Sequence, residues 1–478
     1  MQKRFFHSVW VLILSFVSSH AAIKPPAPLL PIPTARQLEW QKSELIMFLH
    51  FGVNTFTDRE WGDGTESPSI FNPIALDAKQ WARVARAAGF QTLILTAKHH
   101  DGFCLWPSRY TPHSVVNSPW KHGRGDMVAE LAAACKEYGL KMGLYLSPWD
   151  RHEPSYGQGF AYNQHYLAQL RELLDQYGPV YEIWFDGACG EGPNGKKQIY
   201  DFSAFWALVR QRQPNAVMFS DAGPDVRWIG NEQGHAGETC WSMMNKAHVR
   251  IGGADVSYLN SGDAKGPDWV PGECDVSIRK GWFWHPDQNP KTADELIDIY
   301  FKSVGRNGVM LLNVPPNRSG RLDAKDVQVL LDFRHRLDAI FAKDLAQGAT
   351  VVAGQTRGND AAFAGANLLD DRQDTYWACE DSTTDAAIEL ILPASRTFNV
   401  VCLREPIALG QRVKKYSVEA WLNDGWKVIS QGTTIGNKKL DRIAPVHSPH
   451  LRITLAGRAC PLLSQVALYW DAQGATIR

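Results

Sequence analysis

A short apolar run, Tyr181-Glu182-Ile183-Trp184-Phe185, ends on Asp186 and is followed at once by Gly187. A strand that stops on an acid presents the carboxyl at the rim of a sheet, where a reacting molecule reaches it. A second segment, Asp225-Val226-Arg227-Trp228-Ile229-Gly230-Asn231-Glu232, sets Glu232 among aromatic residues and glycines. Glycosidic-bond hydrolysis uses a pair of carboxyl groups, one ionised and one holding a proton. An acid chosen at random is usually a solvated surface charge. Asp186 departs from that because Trp184 and Phe185 immediately precede it; Glu232, in a loop, departs from it less. The two lie about one strand–helix–strand repeat apart, which predicts neighbouring sheet positions and permits the ~5–5.5 Å carboxyl separation of a retaining mechanism.

Environment divides the labour. A nucleophile is ionised and needs donors; a general acid keeps its proton in a less polar or more acidic setting. Asp186, beside a glycine turn and converging histidines, suits the first role, and Glu232 the second. Arg227 would oppose a raised pKa at Glu232, so it is expected to face elsewhere. His50, His99 and His100 are read as groups that recognise sugar hydroxyls. Consecutive side chains on a strand diverge, and no His-Glu-x-x-His or Cys/His pattern is present, so neither a metal nor a cofactor is expected.

The elements that must position these residues alternate. Apolar runs at Leu45–Leu49, Thr92–Leu95, Lys141–Leu146, Tyr181–Phe185, Ala216–Phe219 and Val309–Leu312 are separated by helical patterns over Asp77–Ala88, Asp126–Tyr138, Tyr162–Gln176, Phe202–Gln213 and Thr292–Val304. Such alternation predicts a parallel sheet buried on both faces, here a (β/α)8-like barrel over residues 23–345, with a doubly wound sheet as the alternative. Strands six and seven are expected at Thr239–Ser242 and Cys274–Ser277. In a barrel every strand-end cluster converges on one face. Beyond residue 345 the helical period gives way to short β-rich runs, and Asn423-Asp424-Gly425 between two of them is a hairpin signal. Residues 346–478 are expected to form a β-sandwich.

The 478 residues include fifty basic and fifty acidic side chains, which gives no electrostatic footprint for nucleic acid or an anionic membrane. Lys3, Arg4, the apolar stretch Val9–Val17 and Ser19-x-Ala21 read as a signal peptide over residues 1–22, predicting export to the periplasm or medium without membrane insertion. Prolines 25, 26, 28, 31 and 33 form a stiff leader. The eight cysteines have no zinc-site spacing and are expected to be mostly buried thiols, although export permits a bridge or two. Nothing in the chain defines an oligomeric state.

Taken together, Phe48-Leu49-His50-Phe51-Gly52, Glu60-Trp61-Gly62, Thr96-Ala97-Lys98-His99-His100-Asp101-Gly102-Phe103, Trp184-Phe185-Asp186-Gly187, Ser303-Val304-Gly305-Arg306-Asn307-Gly308 and Leu312-Asn313-Val314-Pro315-Pro316-Asn317 resemble the motifs of glycoside hydrolase family 29, the α-L-fucosidases, over residues 30–345. The resemblance implies a retaining exo-hydrolase that removes terminal α-L-fucose from a fucosylated oligosaccharide or glycoconjugate. By matching positions it makes Asp186 the nucleophile and His50, Glu60, Trp61, His99, His100, Tyr145 and Trp184 the fucose-binding shell. The Asp225–Glu232 segment resembles the branch acting on α-1,3- and α-1,4-linked fucose of branched, Lewis-type glycans. That likeness makes Glu232 the acid/base, with Glu273 a lesser candidate.

Asn367-Leu368-Leu369-Asp370-Asp371 and Asp374-Thr375-Tyr376-Trp377 are similar to discoidin-like, carbohydrate-binding sandwiches, a likeness of fold that leaves a purely structural role open. Two other functions remain: a fucose-binding protein without turnover, and an α-L-galactosidase. The second differs by one substrate hydroxyl, which a hydrophobic pocket discriminates by only about 10²-fold.

Overall fold

The computed structural model describes residues 23–474, so the residues read as a signal peptide lie outside it. Eight parallel strands close into a barrel: β1 (Leu45–Leu49), β2 (Thr92–Lys98), β3 (Lys141–Leu146), β4 (Glu182–Trp184), β5 (Val217–Ser220), β6 (Val226–Trp228), β7 (Gly272–Ser277) and β8 (Val309–Asn313). Each strand pairs with its neighbours in chain order, and β8 returns to β1 through Leu45↔Met310 to Phe48↔Asn313. Closure decides against the doubly wound alternative.

Period-two alternation sorts the side chains. Ile46 and Phe48 of β1 join Ile94, Tyr145, Trp184, Val217, Phe219 and Leu311 inside the barrel. Leu45, Met47 and Leu49 face the opposite way into the layer beneath the helices. Those helices, at Ala78–Ala87, Met127–Tyr138, Phe160–Gln176, Phe202–Arg212 and Ala293–Ser303, occupy the stretches where the helical period lay. Asp77, Asp126, Asp201 and Thr292 cap four of them by accepting first-turn N–H bonds, satisfying donors that the helix leaves unpaired. A further helix, Ala324–Phe341, follows β8.

Strand six is not at Thr239–Ser242. It is Val226–Trp228, joined to β5 by the turn Asp221–Asp225, which contains Gly223-Pro224 and is too short for a helix. The segment from Thr239 belongs to a long excursion between β6 and β7 that runs out to the C-terminal domain. There Cys240 N donates to Thr434 Oγ1 at 3.0 Å and Ser242 N to Gln411 Oε1 at 2.8 Å.

The C-terminal domain is an antiparallel sheet of β9 (Thr350–Ala353), β10 (Asp385–Arg404), β11 (Val413–Leu422), β12 (Gly425–Gly432), β13 (Lys439–Gly457) and β14 (Gln465–Tyr469), beside a short ribbon of Trp377–Ala378 and Leu462–Leu463. β10 is long but interrupted where its register with β13 slips between Ile391 and Arg396. Pro393 lies in that gap and donates no ladder hydrogen bond. Asn423 and Asp424 have φ of 51° and 63°, forming the two-residue turn between β11 and β12. The proline-rich leader lies along this domain, with Leu29 N donating to Leu409 O at 2.9 Å. All eight cysteines are free thiols, and seven are buried. Among the described residues no helix is long and apolar enough to cross a membrane.

Candidate active site

A cavity of about 690 Å³ opens at the carboxyl ends of the barrel strands, and all nine residues singled out from the sequence line it: His50, Glu60, Trp61, His99, His100, Tyr145, Trp184, Asp186 and Glu232. The site stands where a barrel gathers its strand ends.

Asp186 follows β4. The Tyr145 hydroxyl donates to its Oδ2 at 2.9 Å, Ala188 N donates to its Oδ1 at 2.7 Å, and His100 Nε2 lies 3.7 Å from Oδ2. Gly187 has no room for a side chain: a Cβ there would stand 2.8 Å from Gly252 N and 3.0 Å from Asp221 Oδ2.

The three histidines are neutral, and their partners set which ring nitrogen carries the proton. Burial pulls His50 down to about 3 and His100 to about 4, the nearby Asp186 charge only partly offsetting it at His100. Burial also carries His99 well below its ordinary value. His50 Nδ1 faces Asn313 Oδ1 at 2.9 Å and therefore donates, since Asn313 Nδ2 is occupied with Ser277 Oγ and Trp282 O. Ser147 Oγ gives its proton to Trp149 O, so His100 Nδ1, 2.7 Å away, donates to Ser147. His99 Nδ1 instead faces Asn54 Nδ2 at 3.4 Å and accepts. The remaining nitrogens offer two acceptors, from His50 and His100, and one donor, from His99. That mixture fits hydroxyl groups, which both donate and accept.

Trp184 lies stacked on Phe219, with centroids 3.9 Å apart and planes at 9°. Trp61, 59% exposed, meets His100 and Trp149 edge-on at the mouth. Glu60 accepts Trp282 N at Oε2, 2.7 Å, and faces His285 Nε2 with Oε1.

Glu232 sits on the exposed rim with its Oε2 3.2 Å from Trp282 Nε1, which donates. Packing of its carboxyl against the wall raises its pKa, Trp282 opposes, and the charges of Asp186 and Glu60 add to the rise. The two acids are not on adjacent strands: Asp186 follows β4 and Glu232 follows β6, because β5 and β6 are joined without a helix. They nevertheless line one cavity. Arg227 points away from it; its guanidinium donates to Leu259 O at 2.8 Å, Trp241 O at 2.9 Å and also to Val270 O. Glu273, the lesser acid/base candidate, is fully buried beneath the site, where its Oε1 accepts Trp184 Nε1 at 2.7 Å.

Trp282, Trp228, Asp275 and Asp221 also line the cavity, and none of them had a role assigned from the sequence. Trp282 lies in the loop after β7, outside any periodic element. Trp228 ends β6 and Asp275 lies within β7, and Trp228 Nε1 donates to Asp275 Oδ1 at 2.8 Å. Burial raises Asp275 well above the carboxylate range and lifts Asp221 to about 6. Asp221 also accepts Gly252 N at 2.7 Å. Asp221, directly after β5, was visible as an acid at a strand end, the same signal that marked Asp186; Asp275, inside β7, was not.

A closed barrel with two carboxyl groups, neutral histidines and tryptophans lining one cavity at its strand ends is the architecture of a glycoside hydrolase. Comparison with known proteins carries this further. The Alpha-L-fucosidase family model matches residues 32–338, and the chain belongs to that family: it is an α-L-fucosidase. It is 49% identical to alpha-L-fucosidase 1 of Arabidopsis thaliana, over 98% of this chain and 93% of the relative. The crystal structure of SpGH29 superposes with a TM-score of 0.89 at 41% identity, covering 93% of this chain and 99% of that one. A Ruminococcus gnavus GH29 fucosidase in complex with fucose gives a TM-score of 0.87 at 35% identity, covering 95% and 98%.

Proposed function

We propose that this α-L-fucosidase is a retaining exo-enzyme in which Asp186 attacks the anomeric carbon and Glu232 first protonates the leaving oxygen and then activates water. The observation that carries the reading is the contrast within one cavity: two hydrogens aim at Asp186, while the surroundings of Glu232 favour its protonated form. His50, His99, His100, Glu60, Trp61, Tyr145 and Trp184 then hold the fucose. The substrate in this reading is α-1,3- or α-1,4-linked fucose on branched glycans. Support comes from the lining residues outside the fucose-holding set, among which Asp221, Trp228, Gly252, Gly253 and Asp275 offer polar groups and an aromatic face for further sugars. Export, directed by residues 1–22, would bring the enzyme to such glycans.

The test is digestion of linkage-defined fucosylated oligosaccharides, branched and unbranched, with the anomer of released fucose followed by NMR. Initial release of the α-anomer from α-1,3/1,4-linked branched substrates is expected. Initial release of the β-anomer would overturn retention, and equal rates on α-1,2-linked substrates would overturn the linkage assignment.

A further inference from the structure

His285 belongs to no motif and does not line the cavity, yet it is held on both sides. Its Nδ1 is 2.8 Å from Asp58 Oδ1, and its Nε2 is 2.5 Å from Glu60 Oε1. Carboxylates only accept, so both contacts are satisfied at once only by a ring carrying two protons. Glu60 in turn receives Trp282 N at 2.7 Å through its other oxygen, and Trp282 Nε1 reaches Glu232 at 3.2 Å. One chain of contacts therefore runs Asp58–His285–Glu60–Trp282–Glu232 and ties the loop after β1 to the loop after β7. Packing is tight here: a Cβ on Gly281 would run into Glu60 Oε1 and stand 3.2 Å from His285 Cδ2.

We propose that His285 is a positioning residue for fucoside hydrolysis, a latch between Asp58 and Glu60 that sets the sugar-facing carboxylate of Glu60 and, through Trp282, the placement of Glu232. The proposal rests on the assignments of Glu60 and Glu232 made under Proposed function. The charged groups facing His285 are Asp58 and Glu60, with Arg318 3.5 Å from Asp58 on its far side. Burial opposes a charge on the ring, but hydrogen bonds and attraction from Glu60 and Asp58 outweigh it, so its pKa is raised above 6.5. A histidine with a raised pKa gives its full contribution below its ordinary value and loses it as pH climbs through the folded-state value. The latch is therefore closed below the ordinary histidine value and opens as pH climbs through the raised one.

The experiment measures KM and kcat on a chromogenic α-L-fucoside from pH 5 to 9 for wild type, His285→Gln and Asp58→Asn. Wild-type KM should rise on the alkaline side. His285→Gln, whose amide has an acceptor oxygen where the imidazolium has a second N–H, should raise KM about tenfold at pH 6, a loss of about 1.4 kcal/mol of binding, and should flatten that alkaline rise. Asp58→Asn, which leaves the imidazole in place with one carboxylate fewer, should move the rise to lower pH. Unchanged KM profiles in both variants, with wild type active, would overturn the latch alone. A wild type without turnover on any fucoside would overturn the reading beneath it as well.

Discussion

The Tyr145 hydroxyl donates to Asp186 Oδ2 at 2.9 Å, from the strand next to the one that Asp186 ends. Tyr145 is buried, and both burial and the Asp186 charge push its pKa up, so it remains a donor throughout the working range. Tyr145→Phe keeps the ring and removes the bond. A hydrogen bond to a charged group contributes ~1.5–3 kcal/mol, so kcat/KM should fall about 10- to 100-fold with little change in melting temperature. Steady-state kinetics and a thermal melt check this together.

Glu232→Gln tests the proposed acid/base role. Loss of a general acid costs about 10²–10⁴-fold where the leaving group needs a proton and less where it does not. Natural fucosylated glycans should therefore suffer far more than an aryl fucoside with a good leaving group. Because burial raises the Glu232 pKa, wild-type kcat on a glycan should persist to higher pH than an ordinary carboxylic acid allows, then fall. That alkaline limb should be absent in the variant, and pH–rate profiles on both substrates measure it.

Beneath the sugar floor, Glu182 and Glu273 face one another inside the barrel, with Trp40 Nε1 donating to Glu182 at 3.0 Å and Trp184 Nε1 to Glu273 at 2.7 Å. Burial lifts Glu182 to about 7 and Glu273 well above its ordinary value, the neighbouring Glu182 adding to the latter. Acids with raised folded-state pKa values stabilise fully below the ordinary 4.5, and that contribution is lost as pH rises through about 7. The melting temperature should therefore decline between pH 5 and 8. Glu273→Gln keeps an acceptor for Trp184 without an ionisable proton and should flatten the decline; scanning calorimetry across that range tests it.

Glu44 stands at the opposite end of the barrel, just before β1, and receives Lys438 at 2.6 Å and Arg404 at 2.9 Å from the C-terminal domain as well as the Tyr300 hydroxyl at 2.7 Å. Burial alone would raise its pKa, but Lys438 and Arg404 outweigh it and bring Glu44 down to about 2. This stabilisation is present above the ordinary 4.5 and disappears as pH falls through about 2. Removing one partner of a fully buried ion pair costs ~3–5 kcal/mol, and Glu44 is only partly buried. Glu44→Ala should therefore lose less than that at pH 7 by chemical denaturation, with an unchanged KM because the cavity lies at the other face.

Much of this was legible in the chain because the information is local. Asp186, His50, His99 and His100 sit one or two residues past strands that begin in apolar runs, and strand ends of a barrel converge whatever lies between them. β6 escaped for the opposite reason. It is three residues long and centred on Arg227, a charge that reads as surface until the excursion between β6 and β7 folds back to offer three carbonyls. Glu273 was visible as an acid at a strand, but whether it starts the strand or ends it is a matter of register, and the register puts it below Trp184. Trp282 and His285 meet Glu60 across more than two hundred residues of chain, a pairing that only the closed barrel creates.

The anchoring of Cys240 and Ser242 on Thr434 and Gln411 bears on how the molecule can be cut. The excursion carrying those two residues also lends the carbonyl of Trp241 to Arg227, in the strand that leads to Glu232. A truncation after the last barrel helix would strip this outer buttress, leave two amide hydrogens with nothing to bind, and loosen the scaffold on which the rim glutamate stands. The smallest piece expected to retain the full reaction is therefore both domains together.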